Sequence, residues 1–168
     1  MKEIIELSEK TLTLERNKYL KVKGSIDTNI YYIESGSLRI FVLDAYEEQT
    51  IRFGYKENII VALDSFLTGS PSELYIQAIK KTVVRVISRQ QFNQFLEQEN
   101  NQRWWTKTLE GLVLQQMERE KDLLTSSPKE RYERVLSRSP QLFQEIPNRY
   151  IANYLRMSAE TLSRLKKS

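Results

Sequence analysis

The spacing of apolar residues changes near residue 88, and this change limits the possible folds more than any other feature of the chain. Between about residues 11 and 87, short runs rich in β-branched and aromatic residues alternate with polar turns, which is the pattern of strands. From Arg89 onward, apolar residues recur at the spacing of one face of an α-helix. The sequence therefore predicts an α+β fold, in which a β-rich part is followed by an all-helical part.

The β-rich part contains several predicted strands. The first two, residues 31–33 and 38–43, are joined by a tight turn that contains Gly36. Residues 64–72 break the strand pattern and are predicted to form a short helix or a loop. Short strands divided by polar turns are typical of a sandwich or barrel, and we predict a jelly-roll β-roll. The other predicted strands are residues 50–53, 74–78 and 82–87.

The longest predicted helix covers about residues 102–125, and its apolar residues fall on one stripe. The stripe either packs on the chain's own domain or meets a second copy across a two-fold axis, as in a dimer helix. The predicted organisation is a β-roll domain at 1–100, a connecting and dimerisation helix at 101–126, and a third domain at 127–168. The stripe consists of Trp105, Leu109, Leu112, Val113 and Met117, followed by either Leu123 or Leu124.

Residues 146–168 have the pattern of a helix-turn-helix. Pro147 suits the first turn of a helix, a break follows at Arg156, and Ser158 is placed to cap a second helix. Lys166 and Lys167 stand at the end of that helix, where the helix dipole favours bases. The outward face of the second helix is predicted to enter a DNA major groove. This face comprises Ser158, Ala159, Glu160, Thr161, Ser163 and Arg164.

The charge of the chain is concentrated in this last domain. Residues 127–168 hold nine Lys and Arg against four Asp and Glu, whereas the preceding residues hold 17 against 18. Excess positive charge beside a helix-turn-helix favours contact with phosphates, although a solvated basic surface has the same composition. The chain has no Cys and no His, which excludes disulfides, the usual zinc and haem ligands, and the commonest general base. No apolar run is long enough for a membrane span and no signal peptide is visible, so we expect a cytoplasmic protein.

Two motifs give the chain a resemblance to the Crp/Fnr family of bacterial transcription regulators. Residues 31–39, Tyr-Tyr-Ile-Glu-Ser-Gly-Ser-Leu-Arg, are similar to the family's strand-turn-strand signature. Residues 150–155 and 158–165 resemble its helix-turn-helix, especially that of the Bacteroidetes-type members. The resemblance implies a cyclic-nucleotide-binding-like sensor domain and a homodimer that binds an inverted repeat in double-stranded DNA. It also implies RNA polymerase as a further partner, and it implies no membrane partner.

The resemblance also implies roles for single residues. Glu160 and Arg164 match the family's base-contacting positions, where Arg would donate to guanine O6 and N7 and Glu would accept from cytosine N4. The alternative for Arg164 is a surface ion pair with Glu160, four positions earlier. Phosphate contact or helix capping is implied for Ser158, Thr161, Lys166 and Lys167.

The chain departs from the family pattern in the nucleotide cassette. The family uses a Gly-Glu pair for the ribose and an Arg-Ser pair for the cyclic phosphate, but residues 61–63 and 72–75 here read Val-Ala-Leu and Ser-Glu-Leu-Tyr. Because a buried phosphate needs a compensating cation, we predict that cyclic AMP is not bound in the usual mode and assign no cofactor. Any other effector would face a candidate pocket formed by Ala62, Leu63, Tyr75 and Gln77.

Two further departures concern the output domain. Arg156 stands at the turn position that the family usually gives to Gly, where a left-handed backbone would cost a non-Gly residue about 1 kcal/mol. The sequence also ends at Ser168 without the family's β-hairpin wing, so a full wing is not expected. An alternative hypothesis follows, in which the chain is a small-molecule sensor or interaction module that has lost sequence-specific DNA binding. An enzyme with a jelly-roll pocket is disfavoured, because no nucleophile–base pair is visible.

Overall fold

A computed structural model describes residues 2–45 and 47–167 of the chain. The chain divides into two compact units between Glu97 and Gln98, close to the boundary predicted at residue 100. Ser168, the last residue of the predicted third domain, lies outside the described residues. No described helix is both long enough and apolar enough to cross a membrane.

The first unit is built mainly of short antiparallel strands. They form two four-stranded sheets, in the orders β1-β8-β3-β6 and β2-β7-β4-β5. Strands that are consecutive in sequence mostly lie in different sheets, which is the arrangement of a jelly roll and confirms the predicted fold class. The elements are α1 (Lys2–Glu6), β1 (Lys10–Leu14), β2 (Tyr19–Lys21), β3 (Ile30–Ser35), β4 (Ser37–Asp44), β5 (Glu47–Tyr55), β6 (Ile59–Ile60), α2 (Leu63–Thr68), β7 (Tyr75–Ala78), β8 (Thr82–Ile87) and α3 (Arg89–Phe95).

Apolar side chains fill the interior between the two sheets. Because successive residues of a strand point to opposite faces, every second residue of β4 and β7 reaches this interior. Leu12, Leu14, Leu20, Leu74 and Val86 pack around the cluster as partly buried residues. The fully enclosed members are Tyr31, Ile33, Leu38, Ile40, Ile60, Ala62, Ile76, Ala78 and Val84.

The tight turn at Gly36 joins β3 and β4, as predicted, but the two strands do not pair with each other. β3 pairs with β8 and β6, whereas β4 pairs with β5 and β7, so the turn carries the chain from one sheet to the other. Gly36 has a φ of +92°, and a Cβ there would lie 2.4 Å from the carbonyl oxygen of Lys81. The glycine is therefore required both by the backbone conformation and by the close approach of the strand end at Thr82.

The second unit is entirely helical over residues 98–167. Its longest helix starts three residues earlier than predicted, at Glu99, and its next helix is capped by the Ser127 side chain with Pro128 in the first turn. The elements are α4 (Glu99–Leu124), α5 (Pro128–Arg138), α6 (Leu142–Glu145), α7 (Asn148–Tyr154) and α8 (Ala159–Leu165). Its buried apolar residues are Val135, Leu142, Ile146, Ile151, Ala152, Leu155 and Leu162.

Candidate nucleic-acid interface

α7 and α8 form the predicted helix-turn-helix. The Ser158 hydroxyl accepts a hydrogen bond from the Thr161 backbone N–H, at 3.1 Å, and so caps α8 as expected. α7 ends with two backbone hydrogen bonds, from Met157 to Ala152 and from Arg156 to Asn153, which together are a Schellman motif. That motif requires a left-handed residue, and Arg156 has a φ of +54°. The left-handed backbone, whose cost the sequence could give only conditionally, is therefore present at this turn.

Two buried arginines satisfy the carbonyl groups at this turn. Arg119 of α4 donates to the Tyr154 carbonyl oxygen at 2.5 Å, and its guanidinium lies 3.7 Å from the centre of the Tyr154 ring. Arg131 of α5 donates to the carbonyl oxygens of Leu155, at 2.9 Å, and Arg156, at 3.1 Å. The last carbonyls of a helix have no partner within it, so these guanidiniums supply donors that the backbone lacks. Burial lowers the pKa of Arg119.

A buried carboxylate fixes α5 against α4. The Asp122 side chain is 0% exposed and accepts a hydrogen bond from Arg134 Nε at 3.0 Å and another from Arg138. The bond to Asp122 raises the pKa of Arg138. Glu118 also contacts Arg134, at 3.1 Å, but its side chain is 37% exposed, and a hydrogen bond from Lys121 lowers the pKa of Glu118. The end of α4 and the helix α5 are thereby held together.

The outward face of α8 is largely free of protein contacts. Thr161 is half-buried, and the other seven predicted DNA-binding residues are exposed, as the helical spacing requires. The ammonium of Lys166 donates to Asn148 Oδ1 at 2.9 Å and so connects the ends of the two helices. Among the described residues, neither Glu160 nor Arg164 makes an ion pair, so the alternative of a surface pair between them is absent from the structure. The exposed residues are Ser158, Ala159, Glu160, Ser163, Arg164, Lys166 and Lys167.

The predicted stripe on α4 is only partly covered. Val113 and Met117 are 60% and 49% exposed, whereas Trp105, Leu109 and Leu112 are half-buried. Leu114, which lies outside the predicted stripe, is also exposed, as are both Leu123 and Leu124 at the end of the helix. α4 therefore presents apolar surface that a partner helix could cover.

The structure does not bring the four residues of the candidate effector pocket together on one face. Ala62 belongs to the filled interior, with Leu63 next to it in α2. Tyr75 and Gln77 flank Ile76 in β7, and since Ile76 points into the interior, they occupy the opposite face of the sheet. On that face, Tyr75 stacks on Phe41 with 5.1 Å between ring centres.

A buried cation that was not predicted from the sequence lies on this outer face. Arg39 is 5% exposed and donates to Gln77 Oε1 at 2.9 and 2.6 Å, while a third nitrogen contacts Glu48. Its guanidinium also lies 4.2 Å from the centre of the Phe41 ring. Arg39 pairs with Gln77 in the register of β4 and β7, so alternation along the two strands could have indicated the contact.

The described residues do not fit a cyclic nucleotide held in the family's usual mode. The interior is occupied by apolar side chains, and Ser72 and Glu73 stand where the family's Arg-Ser pair would be. The nearby buried cation is Lys21, and its ammonium donates to the carbonyl oxygens of Val22 at 3.0 Å, Leu74 at 3.1 Å and Ser72 at 3.5 Å. Those three bonds use every proton of the ammonium, and burial lowers the pKa of Lys21. A cyclic phosphate would therefore find no free cation from Lys21.

Comparison with known proteins places this geometry in a family. The model of the cyclic nucleotide-binding domain matches residues 11–99, which is more than half of the chain. A search of curated protein sequences finds no match. Three solved Crp/Fnr regulators are similar in structure at low sequence identity. The catabolite activator protein of Thermus thermophilus has a TM-score of 0.61 and 18% identity, covering 99% of this chain and 80% of its own. The other two have higher TM-scores.

FixK2 from Bradyrhizobium japonicum has a TM-score of 0.77 and 18% identity, covering 94% of this chain and 82% of its own. A mutant of CooA from Carboxydothermus hydrogenoformans has a TM-score of 0.74 and 15% identity, covering 98% of this chain and 77% of its own. Both similarities extend over the β-roll and the helical unit together. The chain therefore belongs to the cyclic nucleotide-binding domain family and has the fold of the Crp/Fnr regulators.

Proposed function

We propose that the chain is a DNA-binding transcription regulator that binds an inverted-repeat operator as a homodimer. The observation that carries this proposal is the exposed polar face of α8, on a helix whose entry turn is held by Arg119 and Arg131. A side chain that reads bases must be free of protein partners, and the helix that carries it must be held rigidly on its opposite side. The exposed residues of α8 meet the first condition, and the contacts at its entry turn meet the second. The surrounding charge is favourable, since residues 127–168 carry nine Lys and Arg against four Asp and Glu.

Within this proposal, Arg164 and Glu160 read bases and four other residues contact the DNA phosphates. Arg164 is suited to two parallel hydrogen bonds with guanine, and Glu160 to one from cytosine. Phosphate contacts are assigned to Ser158, Thr161, Lys166 and Lys167, while Ala159 and Ser163 are small enough to let the helix approach the bases.

Dimerisation is assigned to α4. Val113 and Met117 are exposed, lie one helical turn apart, and would be covered by the same residues of a second copy. A two-fold arrangement would place two α8 helices in major grooves about 34 Å apart, which requires an inverted repeat. Sedimentation of the purified chain should give a dimer at micromolar concentration.

The β-roll is assigned a sensor role without cyclic AMP. Its interior is filled and Lys21 is committed to carbonyl groups, so a signal would act elsewhere on the unit. We place the protein in the cytoplasm, where its DNA partner is, and assign it no catalytic residue.

The operator test begins with selection from a pool of randomised duplexes. Binding to the selected sequence is then measured at several salt concentrations, beside an unrelated duplex of equal length. We expect an inverted repeat to be enriched, and Arg164→Ala to lose discrimination at one base pair of each half-site. The matched variant Lys167→Ala should instead weaken binding to every sequence alike and reduce the salt slope by about 1.

Two outcomes would contradict the proposal. If Arg164→Ala keeps full sequence discrimination, Arg164 does not read a base. If the unsubstituted chain shows no sequence preference and a shallow salt slope, the alternative of an interaction module that has lost DNA recognition is favoured, since operator binding releases many counterions.

A further inference from the structure

We propose that Arg119 and Arg131 are positioning residues that set the orientation of α8 relative to the long helix α4, and thereby the specificity of DNA recognition. The inference rests on the proposed function, because it names the residues that hold the turn before the DNA-reading helix. Neither arginine lies on the exposed face of α8, and both are less than one-tenth exposed. Their effect on DNA must therefore pass through the turn between α7 and α8.

Arg131 connects two segments of the unit that are distant in sequence. Its Nη1 donates to the carbonyl oxygens of Thr125, at 2.6 Å, and Ser126, at 3.1 Å, in the linker between α4 and α5. Its Nε and Nη2 donate to Leu155 and Arg156 in the turn before α8. One planar group thus fixes the distance and angle between the end of α4 and the turn that aims α8.

Arg119 supplies a second, independent contact from α4 itself. Its Nη2 donates to the Tyr154 carbonyl oxygen, and its guanidinium lies 3.7 Å from the Tyr154 ring centre. Its Nη1 is buried without a hydrogen-bond partner among the described residues, so the Tyr154 ring and the nearby charge of Asp122 contribute to the compensation of its charge. Burying a guanidinium with an unsatisfied N–H group costs free energy. Arg119 therefore keeps this position only because its contacts with the turn hold it there.

The arrangement depends on the shape of arginine as well as on its charge. The guanidinium presents donors in a rigid fork, whereas a lysine ammonium presents one nitrogen on a flexible stem. Lysine at position 131 would reach one of the two segments and release the other. Lys substitutions therefore keep the charge and remove only the geometric constraint, which separates positioning from electrostatics.

The first test compares Arg131→Lys and Arg119→Lys with the matched surface variant Arg103→Lys, whose arginine is exposed on the same α4 helix. Tryptophan fluorescence and circular dichroism check folding. We expect both buried variants to fold. Their affinity for the selected operator should fall roughly 5- to 150-fold, because that is the value of one bidentate base contact. Their affinity for unrelated DNA and the slope of affinity against salt should not change. Arg103→Lys should match the parent chain.

The second test measures orientation without DNA, so that it stands if the proposed function fails. The chain has no native Cys, so spin labels can be placed at Gln115→Cys and Ser163→Cys, on exposed positions of α4 and α8, and the labelled chain diluted with unlabelled chain. We expect one narrow distance in the parent and in Arg103→Lys, and a broadened or shifted distance in the two buried variants.

The outcomes are distinguishable. Absence of operator preference in the parent chain overturns the proposed function but leaves the distance measurement decisive for the positioning of α8. A narrow, unshifted distance in folded Arg131→Lys and Arg119→Lys overturns the inference, as does a changed distance with unchanged operator affinity. Loss of the folded signal in one variant makes that arginine structural and removes it from the inference, and the other arginine is then judged by its own variant.

Discussion

Replacement of Asp122 by Ala should strongly destabilise the helical unit. The Asp122 carboxylate is 0% exposed and pairs with Arg134 and Arg138, whose side chains are 36% and 30% exposed. Removing one partner of a fully buried pair costs about 3–5 kcal/mol. Both arginines are partly exposed, so water would replace part of the lost pairing. We therefore expect the free energy of unfolding to fall by about 2–3 kcal/mol.

The chain provides a selective probe for this unit. Both of its tryptophans, Trp104 and Trp105, lie in α4, so tryptophan fluorescence in urea reports unfolding of the helical unit alone. With a denaturant slope of about 1–1.5 kcal/mol per molar urea, the midpoint should fall by roughly 2 M. Protein concentration must be held equal, since a dimer would make the midpoint depend on it.

Glu118→Ala provides the matched control. Glu118 contacts the same two arginines, but its side chain is 37% exposed, so its removal should shift the midpoint far less. A loss below about 0.5 kcal/mol for Asp122→Ala would refute the reasoning, because that is the ordinary effect of a surface substitution. Equal shifts in the two variants would refute it as well, since burial would then make no difference.

Two further predictions concern the β-roll. Gly36→Ala should unfold the β-roll or lower its free energy of unfolding by more than about 3 kcal/mol, because the new Cβ would lie 2.4 Å from the Lys81 carbonyl oxygen. Gly24 has a φ of +82° but open space around it, so Gly24→Ala should lower the free energy of unfolding by only about 1 kcal/mol, measured by thermal unfolding. Burial, reinforced by the charge of Asp27, raises the pKa of Tyr31 above its ordinary value of 10.0. The folded chain therefore keeps a proton that the unfolded chain loses, and stability is complete below pH 10 and declines as the pH rises above it. Tyr31→Phe should flatten that decline in urea unfolding followed by circular dichroism; an equal decline in both chains would contradict the assignment.

Local signals account for the parts of the fold that the sequence predicted well. The strand at Thr82–Ile87 was predicted with its observed bounds, because a continuous β-branched run has few alternatives. The helix-turn-helix was located by Pro147 and Ser158, whose effects on helix starts depend only on neighbouring residues. The Ser158 hydroxyl indeed accepts from the backbone three residues later.

Contacts between distant residues decide what the local pattern leaves open. A Gly between two strands gives the same local pattern in a hairpin and in a corner between sheets, and only the pairing of β3 with β8 decides between them. Tyr75 and Gln77 lie away from Ala62, because alternation along β7 places both on the face opposite Ile76.

The buried charges of the helical unit were missed for a different physical reason. Arg119, Asp122 and Arg131 interrupt no apolar pattern and were not singled out from the sequence, because the acceptors of the two arginines are backbone carbonyl groups that carry no sequence signal. One indication was present in Arg156, where a left-handed backbone costs a non-Gly residue about 1 kcal/mol. Such a conformation persists only where its surroundings over-determine it, and here two guanidiniums hold the carbonyl groups of residues 154–156. A non-Gly residue at a turn position that usually needs glycine is therefore a reason to search the neighbouring helices for donors.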